Sequence, residues 1–158
     1  MYKKIILIST LLFMSTYIVA SESNDTNSTK TTVKKKKTLS GKKLVVFVSN
    51  GDLQIAGMGF GIALSGVHQG ADVTIVIGAN AIKYVLKDGD QNIYFPKERT
   101  PKALLQEALK NGATIQLCSA NTDEMGLDED DFIEGIKVVI STEIFAKVYE
   151  PEVRVISF

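Results

Sequence analysis

Leu44-Val45-Val46-Phe47-Val48-Ser49 runs directly into Asn50-Gly51-Asp52, and this junction decides the fold. The first six residues form a continuous β-branched and aromatic run, as in a strand buried on both faces. Asn50-Gly51-Asp52 is turn chemistry, with Asp52 placed to cap a following helix. Residues 54–69 read as that helix and stop at Gly70. A second apolar strand, residues 73–77, closes at Gly78, and residues 79–86 read as a short helix. Residues 87–99 are a loop turning at Asp88-Gly89-Asp90. Thr100 is an N-cap with Pro101 at the first helical position, where its missing N–H costs nothing, and this helix runs to Asn111. A third strand, residues 114–117, leads into Cys118, followed by a helical stretch over 120–125 and a turn over 128–134. Residues 137–140 form a fourth strand, 142–149 a helix and 153–156 a last strand. Strands alternating with helices at this spacing specify βαβ units. The expected fold is therefore α/β, a three-layer sandwich with a five-stranded, mostly parallel sheet.

Outside this domain, taken as residues 44–158, the chain changes character. Lys3 and Lys4 precede an uncharged, mostly apolar stretch of residues 5–20, then Ser21. That pattern is a secretory signal peptide over residues 1–21, and its length favours cleavage over a retained anchor. The protein is thus expected to be exported, either periplasmic or secreted. Residues 22–43 are rich in Ser, Thr and Lys and too polar to fold, so they read as a disordered tether. The lysines of this tether are either a contact for an anionic membrane surface or a solvated linker. The linker is the ordinary case, and no membrane contact is expected.

Of the 158 residues, 45% are hydrophobic and 23% charged, a globular composition. The formal net charge of zero hides an asymmetry. Residues 1–43 carry nine Lys against Glu22 and Asp25, whereas residues 44–158 carry 9 basic and 16 acidic side chains. An acidic domain lacks the basic face that nucleic acid requires, so no nucleic-acid partner is expected. One Cys and one His exclude a disulfide framework and a zinc site of Cys and His within one subunit.

Gly57, Gly59 and Gly61 miss the dinucleotide fingerprint, because position 62 is Ile and the run lies inside a helix. Their expected role is close packing, with Gly57 and Gly61 on one helix face. No phosphate-binding loop and no nucleophile elbow around Ser49, Ser65 or Ser119 occurs, so no cofactor is expected. His68 falls in the last turn of the first helix, where the dipole favours it without any catalytic role. The acids Asp123, Glu124, Asp128, Glu129, Asp130 and Asp131 lack calcium-loop spacing and read as helix-capping residues.

Cys118 stands apart. It follows a buried strand at the edge where open α/β sheets bind ligands. Amides at a helix start stabilise a thiolate, which can then attack sulfane sulfur and hold it as a persulfide. Asp123 and Glu124, within about two helical turns, oppose that charge. Free Cys is also commonly a small buried hydrophobe, so position alone leaves both roles open.

Residues 44–158 resemble the DsrE/DsrF-like (YchN-like, TusD-like) sulfur-relay family along their whole length. The resemblance rests on the Asn50-Gly51-Asp52 turn and on Gly70-Ala71-Asp72 leading into the second strand. Its most specific parts are Gly112-Ala113-Thr114-Ile115-Gln116-Leu117-Cys118, Glu124-Met125-Gly126-Leu127 and the closing Val153-Arg154-Val155-Ile156-Ser157-Phe158. TusD-like members carry basic residues where this chain has Glu124-Met125. The resemblance implies that Cys118 is the catalytic, sulfur-bearing residue. Its partners would be sulfur donor and acceptor proteins or small sulfane-sulfur compounds, within a homotrimer or homohexamer. On this reading the backbone at Ser119 and Ala120 stabilises the thiolate, and Asn50 and Asn80 line the site. Two rivals stand beside a sulfur carrier of this kind. One is a non-catalytic oligomeric binding module, the other a thiol redox sensor pairing Cys118 between subunits.

Overall fold

The apolar runs read as strands within residues 44–158 become the strands of one sheet. The computed structural model describes residues 38–89, 92 and 99–158. The expected signal peptide, residues 22–37 of the tether, and residues 90–91 and 93–98 of the loop lie outside them. The strands are β1 (Lys43–Val48), β2 (Asp72–Ile77), β3 (Thr114–Cys118), β4 (Ile136–Val139) and β5 (Val153–Ser157). They pair in the order β4-β3-β2-β1-β5, and all four pairings are parallel. The α/β fold with a five-stranded sheet is as the alternation of strand and helix signals required, with the sheet parallel throughout.

The helices are α1 (Leu53–His68), α2 (Pro101–Lys110), α3 (Ser119–Met125) and α4 (Ser141–Val148). The capping signals act as the sequence indicates. Asp52 Oδ1 accepts from the amides of Gln54 and Ile55, and Thr100 Oγ1 accepts from that of Ala103 ahead of Pro101. Residues 79–84 form a tighter 3-10 helix instead of a short α-helix. Of the acids, Asp128 and Asp131 act as caps: Asp128 accepts from the Asp130 amide while Asp131 accepts from that of Asp128.

Two faces of the sheet are covered unequally. Val46, Val48, Ile75, Ile77, Ile115 and Leu117 pack beneath α1, α2 and the 3-10 helix in the main core. On the other face Val45, Val76 and Val139 meet Ile144 of α4. The cause is topological. The chain advances β1 to β4 in one direction, and the return to β5 must cross on the opposite side if every crossover is right-handed. Among the described residues a single eight-residue helix therefore serves that face, and Val155, Phe145 and Tyr149 stay exposed.

The expectation for the glycines of α1 needs correction. Gly61 has open space around its Cβ direction, so it is not one of the glycines that let α1 approach the sheet. Gly59 and Gly66 are: a Cβ on Gly59 would lie 2.9 Å from Val48 Cγ2, and one on Gly66 would lie 3.3 Å from Leu44 and Val73. Seven residues is two helical turns, so these two return to the same face more closely than a pair four apart.

The amino edge of the sheet is held by charges. Lys43 Nζ donates to Glu150 at 2.8 Å, and Lys147 reaches both Glu150 at 3.4 Å and Asp72 at 3.7 Å. The Lys43 hydrogen bond holds the Glu150 carboxyl below its usual range and raises the Lys43 ammonium above its own. The signs differ. Glu150's contribution is full above the ordinary carboxylate range and is lost as pH falls through its lowered value. Lys43's is present at neutral pH and is lost as pH rises through its raised value. Glu150→Gln should therefore flatten the acid limb of stability against pH. The effect is small, since the pair is in solvent. Acid-unfolding curves of the two proteins that stay parallel would contradict the linkage.

Candidate functional site

Cys118 is the last residue of β3 and the N-cap of α3, in register with Val139 of β4. Its position follows from the topology. The connection leaving β4 turns to the face opposite the earlier crossovers, so the carboxyl ends of β3 and β4 flank the point where the winding reverses. In open α/β sheets ligands bind at such a point. The thiol is half-buried, and its side chain makes no hydrogen bond that caps α3.

The cysteine opens on a groove of about 320 Å3 at the carboxyl edge. Its walls include Ser49 after β1, Gly78 and Ala79 after β2, Asn121 of α3 and Ile144 of α4, above the apolar ends of β1 and β2. Among the described residues, no Lys, Arg, Asp or Glu lines it. A larger hollow of about 660 Å3 lies at the opposite, amino edge between Lys42, Lys43, Glu152 and Arg154. It is remote from the thiol and from the edge where parallel sheets place their chemistry, so the smaller groove is the candidate site.

The expected site residues are only partly brought together. Ser119 and Ala120 follow Cys118 as the first turn of α3. Ser119 accepts through its carbonyl from Thr122 Oγ1 at 2.9 Å, which buries Thr122. Asn50 and Asn80 are exposed and do not line the groove. Asn50 Oδ1 is occupied by the Asp52 amide at 2.8 Å, a local Asx turn. Asn80 packs against Gly51, where an added Cβ would lie 2.7 Å from the Asn80 carbonyl oxygen. The two turns thus support each other beside the groove, and Tyr84 Oη donates to the Gly51 carbonyl at 2.9 Å beneath them. His68 lies at the far end of α1, 3.5 Å from Glu107. The 16-residue helix places it about 24 Å from the carboxyl edge, too far to serve the thiol as a base.

The residue that sequence reasoning missed is Asn121. Its Oδ1 accepts from the Ala79 amide at 2.8 Å and so joins α3 to the turn after β2. Ala79 is held at φ 45°, a left-handed conformation rare for a residue with a Cβ. The available signal was its spacing: three residues after an N-cap, a side chain returns to the side of the cap.

A parallel five-stranded α/β domain with one cysteine at the carboxyl edge of a central strand defines the class of protein. Residues 42–158 match the DsrE/DsrF-like family, and the chain belongs to that family. An uncharacterized protein of Methanocaldococcus jannaschii, MJ0989, is 30% identical over 102 residues, covering 61% of this chain and 80% of that one. Among solved structures, the YchN protein of E. coli superposes with a TM-score of 0.63 at 15% identity, over 74% of this chain and 98% of that one. MTH1491 of Methanobacterium thermoautotrophicum gives 0.56 at 15% identity, over 74% and 99%. At such identity these two likenesses speak for the fold.

Proposed function

We propose that the protein is an exported sulfur carrier that holds sulfane sulfur as a persulfide on Cys118 and passes it to a partner. One observation carries this reading: the sole cysteine of a DsrE/DsrF-like chain opens on a groove at the ligand-binding edge of the sheet. The groove's neutral lining suits a soft, weakly hydrated sulfur better than a multiply charged oxyanion. In the loading step the Cys118 thiolate attacks the terminal sulfur of a polysulfide. The new S–S bond forms as the donor's S–S bond breaks, and the electron pair leaves with the shortened polysulfide. No external oxidant is consumed. The next acceptor thiolate takes the outer sulfur and returns Cys118 to its thiolate.

Export is supported by the basic, apolar and small-residue pattern of residues 1–21. Assembly into a homotrimer or homohexamer is supported by the apolar side chains left in solvent around α4. Phe145 and Tyr149 stack there with ring centroids 6.2 Å apart, 62% and 79% exposed. Paired exposed aromatics are typical of subunit contacts.

The test is direct. The full chain is incubated with inorganic polysulfide, freed of excess, and weighed intact with and without reductant. The expected result is a reductant-labile gain of one sulfur atom that Cys118→Ser abolishes. An equal gain in Cys118→Ser, or none in the wild type, overturns the reading. The absence of any gain leaves the non-catalytic oligomeric module in its place.

A further inference from the structure

We infer that Asn121 is the hydrogen-bond donor that holds the anionic sulfur on Cys118; this rests on the sulfur-carrier reading above. One backbone amide constrains this side chain. The Ala79 backbone offers an N–H, so only the carbonyl end of the Asn121 side chain can face it, and Oδ1 accepts at 2.8 Å. The amide is therefore fixed in one orientation, with Nδ2 on its other side. Among the described residues Nδ2 donates to no protein group, although Asn121 is half-buried and lines the groove. Its two N–H bonds are left for solvent or for an occupant of the groove.

The position of Asn121 relative to the thiol is set by the helix start. Cys118 is the N-cap of α3 and Asn121 its third residue. Side chains at these two positions lie on the same side of the first turn, which is why an N3 side chain so often reaches back toward an N-cap. Here Asn121 spends its Oδ1 on the Ala79 amide instead, and it lines the same groove as Cys118. The anchor is itself firm. Ala79 sits at φ 45°, and the neighbouring Asn80 is wedged against Gly51. Among the described residues no cation lines the groove, so a neutral, fixed donor is what they supply there to a sulfur anion.

Two substitutions separate a donor from a mere brace. Asn121→Asp keeps an acceptor for the Ala79 amide but removes both N–H donors and adds a negative charge. Asn121→Ala removes the brace and the donor together. Full-length wild type and both variants are loaded with inorganic polysulfide, and the loss of sulfur from Cys118 in donor-free buffer is followed by intact mass. The unloaded thiol of each is also reacted with iodoacetamide, a readout that needs no sulfur transfer. A donor predicts that both variants lose sulfur, and that both react with iodoacetamide, at rates changed by about tenfold: faster loss and slower alkylation. Asn121→Asp behaving like wild type while Asn121→Ala is impaired assigns Asn121 a bracing role only and overturns the inference. Wild-type rates in both variants overturn it too. A wild type that takes up no sulfur defeats the carrier reading by itself. The alkylation rates then still decide whether Asn121 serves the thiolate.

Discussion

Gly59→Leu should lower stability by about 2–3 kcal/mol, whereas Gly61→Ala, two residues on in the same helix, should raise it by about 0.5–1 kcal/mol. Both glycines lie within α1, and both changes relieve the helix of glycine's conformational freedom, worth about 1 kcal/mol against Ala. What differs is the space. At Gly61 an added Cβ meets nothing within 4 Å, so the propensity gain stands alone. At Gly59 it meets Val48 Cγ2 at 2.9 Å and the Phe158 ring at 3.1 Å. Val48 is β-branched and fully buried in β1, so it cannot turn aside, and the larger leucine side chain must push α1 off the sheet. Urea unfolding with unchanged m-values would show the two midpoints moving in opposite directions. Midpoints that move together would mean that α1 does not rest on the sheet through Gly59.

This contrast also marks where sequence reading runs out. The strands and caps were legible because their causes are local. Residues 44–48 are apolar at every position, Asp52 and Thr100 stand before helices, and Pro101 occupies a position where only its ring geometry matters. Which glycine touches the sheet depends on the rotation of α1 about its axis. The three candidates lie within five residues, and α1 is apolar over most of its circumference, so periodicity could not orient it. Cys118 was legible as a candidate because a strand-to-helix junction in an α/β sheet is itself a position of consequence. Asn121 was not, since its partner Ala79 lies 42 residues away in sequence and the left-handed residue there is an alanine, not a glycine. Asn50 shows the converse. Its polar side chain at the functional edge suggested a ligand contact, yet its oxygen is spent on Asp52 two residues on, the ordinary use of Asn in a turn. The unequal covering of the sheet depends on strand order, which alternation alone leaves open.

Phe60→Ala should cost about 3–5 kcal/mol, the largest single effect expected in the domain. Phe60 is fully buried in α1, and its ring meets that of Tyr84 edge-on, centroids 6.0 Å apart at 83°. Truncation loses the ring's transfer energy and this aromatic contact, and it leaves a cavity between α1 and the 3-10 helix. Tyr84 is equally buried, and its hydroxyl crosses from that core to the Gly51 carbonyl at the carboxyl edge. Tyr84→Phe keeps the ring packing and removes the hydroxyl's link to Gly51, so its global cost is about 1 kcal/mol. The pair of variants therefore separates two consequences of one contact. In Phe60→Ala, amide exchange should quicken throughout the sheet, because opening of the whole fold has become easier. In Tyr84→Phe it should quicken chiefly at Gly51 and Asp52 and at the Asn80 turn that leans on them, while the β3 amides up to Leu117 keep their protection. Exchange at Gly51 and Asp52 that stays unchanged in Tyr84→Phe would mean that Asp52 capping and the Asn50 turn alone hold the edge, and that the core does not reach the site through Tyr84.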